Sequence, residues 1–294
     1  MNDSLTFLKI PLGLSLYLLL FVPSNITFAQ SATDDGNQSN PRKSPLAEEW
    51  TASVLPAGKF AIGSMLELGL GQGLMIGSDP TATALGAKTI QAKWQLPSFG
   101  EDDWSLGLKV ASINRRSIWW GDVSKRFSKL DAKILRPSIA WSNRISSALI
   151  IHSFWTSGIG KSSAELSDFG KAKLKESKYG TNTPGDGHSF ANRTMQVQSI
   201  AGFTEDRFQM TAEWERTSGE RVLLSTRFER TRLEQLETFS VRLTLAQHWS
   251  TDGFNLRLGA GPQYAVLSGK DLDDENVNAS GWLPTADFAI YWVL

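Results

Sequence analysis

The chain has no cysteine among its 294 residues. That excludes a disulfide framework and a cysteine-linked lipid anchor, so core packing and hydrogen-bond ladders must hold the fold. An excess of one charge is missing as well. Thirty basic and thirty acidic residues cancel, which gives no reason to expect nucleic acid as a partner. After residue 29 no apolar run approaches the roughly 20 residues a spanning helix needs. Average hydropathy would therefore read the chain as water-soluble. That reading fails for one architecture, because a membrane-crossing strand faces lipid with every second residue only.

The long apolar run that does exist lies at the start. Residues 10–22, "IPLGLSLYLLLFV", follow Lys9 and precede Thr27 and Ala29, small residues at the two positions a signal peptidase reads. Residues 1–29 are expected to be a cleaved secretory signal. Residues 30–47, "QSATDDGNQSNPRKSPLA", lack periodicity and read as a flexible N-terminal arm. The remainder, 48–294, reads as one domain.

That domain alternates. In 88–96, Ile90, Ala92, Trp94 and Leu96 share one face while Thr89, Gln91, Lys93 and Gln95 share the other. The same period of two recurs in 104–110, 207–215, 239–249, 254–266 and 285–294. Most of these runs, about 9–13 residues long, exceed the usual strand length of about 5–6 and suit a tilted membrane crossing. Aromatic residues stand at strand ends, Trp94 and Trp104 around 97–103, Trp249 and Phe254 around "STDG", as in an interfacial girdle. A secreted β-sandwich also alternates, but strand length, aromatic flanks and loop pattern favour a barrel.

Short turns are expected at 69–73, 97–103, 142–145, 204–206 and 250–253, and longer polar loops at 114–132, 158–191, 218–237 and 267–280. A first strand from 48–55 makes the total even. Residues 221–230 are expected to form a hairpin arm above the membrane. The fold class is all-β, a closed antiparallel transmembrane β-barrel of about twelve strands, with both termini on the side of the short turns.

The secretory signal, the alternating strands and a last strand of regular alternation resemble bacterial outer-membrane β-barrel proteins. In that class the assembly machinery reads the final strand. The resemblance implies an outer-membrane location in a Gram-negative bacterium, with outer-membrane lipids and lipopolysaccharide as neighbours. The assembly signal maps onto Phe288, Ile290, Trp292 and Leu294, although that class usually ends in an aromatic residue and this chain ends in Leu294.

Motifs for chemistry are sparse. "SGIGKSS" (157–163) lacks the first glycine of a phosphate loop, since Trp155 stands there. His152, His188 and His248 have no metal-ligand spacing, and the acidic run 271–276 lacks the pattern of a calcium loop; no cofactor is expected. Ser153 and Ser250 stand near His152 and His248, but without the asparagine motif that outer-membrane phospholipases carry. A lipid hydrolase is thus the least favoured reading, and the barrel is expected not to be an enzyme. The polar faces hold Lys93, Lys109, Arg207, Glu213, Glu215, Arg242, His248, Arg257 and Asp287. Charges of both signs cannot be buried unpaired in an apolar core; facing a wet lumen, they either pair across strands and plug the barrel or line a narrow path. The expected function is a narrow channel for small polar or anionic solutes, with Arg242 and Arg257 contacting the anion. An alternative is a structural or ligand-binding barrel acting through exposed loops, where Arg115, Arg116, Lys125, Arg126 and Lys129 would meet lipopolysaccharide phosphates.

Overall fold

A computed structural model describes residues 49–63, 66–84, 86–117, 124–125, 127–169, 203–217, 219–233, 236–270 and 276–294. The signal and arm expected over 1–47 lie outside these residues, as do His188, Arg126 and the acidic run 271–275.

Twelve strands close into an antiparallel barrel in which each pairs with its sequence neighbours and β1 meets β12. They are β1 (Phe60–Ile62), β2 (Leu66–Gly71), β3 (Leu74–Ser78), β4 (Ala87–Gln95), β5 (Asp102–Asn114), β6 (Phe127–Arg144), β7 (Leu149–Leu166), β8 (Phe203–Thr217), β9 (Glu220–Leu233), β10 (Leu236–Thr251), β11 (Phe254–Lys270) and β12 (Asn276–Val293). A short helix, α1 (Pro80–Ala84), links β3 to β4, with Asp79 capping it by accepting the Ala82 N–H at 2.8 Å. Among the described residues no helix is long and apolar enough to cross a membrane, a criterion that does not bear on β-barrels.

Strand length follows the alternation. β5 to β12 run for 13–18 residues, long enough to cross a bilayer at a tilt. Their outward residues, with Trp94 on β4, form an apolar belt that includes Leu106, Trp155, Phe208, Met210, Leu245, Trp282 and Phe288, all well exposed. So large a continuous apolar surface would drive a water-soluble chain to aggregate. The inside is the reverse: Lys93, Arg207, Glu213, Arg221, His248 and Arg257 are buried there. Aromatic pairs mark the two rims, Phe254–Trp292 (5.3 Å between ring centres) and Tyr264–Trp282 (5.1 Å). Trp282 and Trp292 are ten residues apart on one tilted strand, which places the girdles roughly 25 Å apart, the height of a barrel's apolar band.

The expected count of twelve is met by different members. Residues 204–206 are not a turn. "TEDR" lies within β8, where Glu205 and Arg207 point inward to charged partners and so behave as strand residues. Residues 221–230 cross the membrane as β9, with Arg221, Leu223 and Arg227 inside and Leu224 and Phe228 outside. Residues 49–55, the described part of the segment expected as the first strand, do not supply it. Trp50, Thr51, Ala52 and Leu55 are all buried, consecutive residues included, because the segment runs inside the barrel and is covered on every side. The place it vacates is taken by the short hairpin β1–β2.

Two backbone features carry this path. Asp252 and Gly253 both have positive φ, 46° and 80°, so the β10–β11 turn is the tight two-residue kind that matches strand twist. At Gly69 on β2 a Cβ atom would lie 1.9 Å from the Pro56 carbonyl oxygen; only glycine lets the chain leave the lumen across this strand.

Candidate functional site

The lumen is organised around the segment 49–55, hereafter the plug. Its backbone is bound from three strands. Ala52 N–H donates to Ser142 Oγ on β6 at 2.8 Å, and Lys93 Nζ on β4 donates to Ser53 O at 2.8 Å. Ser105 Oγ on β5 donates to Thr51 O at 3.5 Å. The Trp50 ring stands nearly perpendicular to the His152 ring, 4.9 Å between centres. Leu55, Met75, Phe154, Leu223 and Tyr291 pack with Trp50 in one apolar cluster at the end of the barrel that carries the short turns. Burying these side chains supplies the driving force for insertion, at about 25 cal/mol per Å² of apolar surface.

Above the apolar cluster lies a belt of charge. Arg136 Nη2 is 2.7 Å from Glu205 Oε2, and Arg207 lies between Glu205 (3.4 Å) and Glu229 (2.8 Å). Arg227 lies 3.6 Å from Glu229, and its Nε donates to Gln209 Oε1 at 2.9 Å. Arg242 donates to Gln263 Oε1 at 3.0 Å, Arg257 lies 3.0 Å from Asp287, and Lys109 lies 3.9 Å from Asp79. Register sets Arg227 directly opposite Arg242. Like charges side by side inside a barrel repel, and an anion between or near them relieves that repulsion. The plug brings such an anion: burial pushes the Glu49 carboxyl up, but Lys109, Arg207, Arg136 and Arg227 together hold it below the ordinary glutamate range. Two small cavities flank the plug. One, about 30 Å³, is lined by Trp50, Arg227, Arg242, Arg257 and Asp287; the other, about 20 Å³, by Glu49, Lys93 and Lys109 among others. Each has room for a water or two.

Nearer the short turns a second polar array spans three adjacent strands. Ser142 Oγ lies 2.8 Å from His152 Nδ1, and His152 Nε2 lies 3.0 Å from Glu213 Oε2. Arg221 Nε is 3.1 Å from the other carboxylate oxygen and Arg221 Nη2 is 3.7 Å from Glu215, which Arg144 also approaches at 3.8 Å. His248 Nε2 meets Tyr291 O–H at 3.2 Å.

Lys93, Lys109, Arg207, Glu213, Glu215, Arg242, His248, Arg257 and Asp287 thus all engage interior partners. They divide between the plug backbone, which Lys93 binds, the charge belt, the Ser142–His152–Glu213 array with its flanking ion pairs, and the His248–Tyr291 contact. Phe288, Trp292 and Leu294 lie exposed on the outer face, and Ile290 shares their parity on β12. Arg115 and Arg116 sit exposed on a single turn of 3-10 helix, Arg115–Ser117, and Arg115 donates to Ser124 O and Ser128 O; Lys125 and Lys129 are exposed as well. The sequence reading missed Arg136, Glu205, Arg221, Arg227 and Glu229. Glu205 falls in a stretch expected to be a turn, and Arg221, Arg227 and Glu229 in the segment expected above the membrane. Their alternating parity was the available signal.

No family model matches the chain, and no curated protein does. Among solved structures it is similar to OmpT of Vibrio cholerae (7% identity, TM-score 0.40, covering 78% of this chain and 64% of that one). It is also similar to LpxR from Salmonella typhimurium (9%, TM-score 0.33, 73% and 89%). A third is the ferric yersiniabactin uptake receptor FyuA from Yersinia pestis (9%, TM-score 0.27, 79% and 44%). The chain therefore spans less than two thirds of the length of the OmpT chain it matches. At these identities the likeness is one of fold, and the chain resembles bacterial outer-membrane β-barrels. One expectation is corrected. With a serine–histidine–carboxylate array in the interior, the reading of the barrel as no enzyme is withdrawn.

Proposed function

We propose that this barrel resides in the outer membrane of a Gram-negative bacterium, after loss of residues 1–29, and is a closed conduit for small polar or anionic solutes. Residues 49–55 hold it shut. The observation that carries this reading is Glu49. The plug's own carboxylate sits among Lys109, Arg136, Arg207 and Arg227 as a tethered anion in the belt a free anion would cross. Displacing the plug would leave that belt with an excess of positive charge and a path lined by Arg227, Arg242 and Arg257. Reversal potentials across a salt gradient test the selectivity. The opened barrel should favour chloride over potassium, and Arg227→Gln with Arg242→Gln should bring the ratio towards one. Cation preference in the opened barrel would refute the assignment.

A second reading concerns the outer rim. Arg115 ties the end of β5 to Ser124 and to Ser128 at the start of β6, with Arg116, Lys125 and Lys129 exposed beside these anchors. Lipopolysaccharide phosphates are the proposed partner there. Lipopolysaccharide retention that survives Arg116→Ala with Lys129→Ala would remove this reading.

A further inference from the structure

We propose that Ser142, His152 and Glu213 form a latent ester-hydrolysing site that the plug keeps covered. The three residues stand on β6, β7 and β8 at one level of the barrel: Ser142 pairs in register with His152, and Glu213 pairs with Ile150 two residues away. Their hydrogen bonds have the order a nucleophilic serine requires, hydroxyl to imidazole to carboxylate, at 2.8 and 3.0 Å. A neutral imidazole satisfies both bonds when Nε2–H donates to Glu213 and Nδ1 accepts the Ser142 proton. All three are buried, Ser142 at 4% exposure, His152 at 0% and Glu213 at 1%. The carboxylate is held on its other side by Arg221.

An ordinary structural hydrogen-bond chain would need nothing more. Two further contacts concern the plug and give this chain a covered state. Ala52 N–H donates to Ser142 Oγ, occupying a lone pair the hydroxyl would use in attack, and Trp50 stands edge-on to the base. When Trp50 and Leu55 withdraw they leave a space walled by Met75, Ala140, Phe154 and Leu223, all apolar. That wall suits a short or medium acyl chain, so the substrate class is a carboxylic ester.

The chemistry balances with water as the only co-reactant. Ser142 Oγ bonds to the acyl carbon as its proton passes to His152 Nδ1, and Glu213 stabilises the resulting imidazolium through Nε2–H. The same proton goes to the departing alkoxide, which leaves as an alcohol. Water then attacks the acyl-serine, giving its proton to Nδ1, and Ser142 recovers that proton as the carboxylic acid departs. Ser142 and His152 act on the substrate; Glu213 is a positioning residue.

The inference shares plug displacement with the proposed conduit but not ion passage, so the two fail separately. The test is covalent labelling of the full-length, refolded barrel by a fluorophosphonate probe, located by mass spectrometry, with turnover of p-nitrophenyl butyrate alongside. The native protein should label slowly. Trp50→Ala and, as an independent way to loosen the plug, Lys93→Met should label at Ser142 at least about tenfold faster. His152→Gln in either background should cut the rate about a hundredfold or more. Glu213→Gln should lower both the rate and the pH at which labelling sets in, a shift a purely structural carboxylate would not produce. If both loosened variants fold, keep the heat-dependent mobility of a closed barrel and leave Ser142 unlabelled, the array is a latch for the plug and the inference is wrong. Unlabelled Ser142 in barrels that conduct would overturn this site while leaving the conduit standing.

Discussion

Arg136 on β6 and Glu205 on β8 meet at 2.7 Å across the intervening strand β7. They can do so because the residue between them is Gly158, where an added Cβ would come within 3.3 Å of Arg136 Cγ and 3.4 Å of Glu205 Cβ. The glycine that resembled part of a phosphate loop is thus the gap through which an ion pair passes. Gly158→Ala requires shifts of only a few tenths of an ångström and should be tolerated. Gly158→Leu should part the pair and lower the temperature at which the barrel loses its compact gel mobility.

Breaking the same pair from one side has a calculable effect. Arg136→Met leaves Glu205 buried with Arg207 at 3.4 Å as its remaining cation. The loss should fall near the low end of the roughly 3–5 kcal/mol that removing one partner of a buried pair costs. Denaturant unfolding from detergent micelles measures it, and Arg136→Met with Glu205→Met together should recover much of the loss.

The plug should respond to acid. The folded carboxyl of Glu49 is held below its unfolded value by the surrounding cations. Its contribution to plug binding is therefore complete above the unfolded value, about 4.3, and is lost as pH falls through the lower folded value. Open events should increase in frequency below about pH 4, and Glu49→Gln should show neither the acid step nor the full closure at neutral pH.

The final strand offers a contrast between two neighbouring positions. Trp292 lies on the lipid face against Phe254, 5.3 Å between ring centres, whereas Leu294 is 64% exposed at the rim. Trp292→Asp puts a charge at the membrane boundary and removes a girdle pair, so recovery of folded barrel from the outer membrane should fall severalfold. Leu294→Phe should leave recovery unchanged.

Much of this was legible in the alternation. Ile90, Ala92 and Trp94 against Gln91 and Lys93 define a two-faced strand without reference to any neighbour, and the inward set from Lys93 to Asp287 follows from parity alone. What escaped were segments where polarity and location part company. "TEDR" has the composition of a turn, yet its glutamate and arginine are compatible with a strand because Arg136 and Glu229 wait on the facing walls. Residues 49–55 resemble a strand, yet they are surrounded on all sides, and only the tertiary fold says that a lumen stands ready to receive Trp50 and Leu55. The Ser142–His152–Glu213 array was illegible for a third reason. Its members are brought together by register across β6, β7 and β8, and sequence proximity pointed instead to Ser153, on the opposite parity to His152.

If residues 49–55 close the barrel, single-channel recording in planar bilayers reads that closure as the absence of current. The refolded native protein should be shut almost all the time at neutral pH. Trp50→Ala, which removes the ring packed against His152 and the wall of the 30 Å³ cavity, should produce frequent anion-selective openings. A Trp50→Ala barrel that folds, inserts and stays silent would show that residues 49–55 do not close the lumen, as would a native barrel that conducts freely with its plug in place.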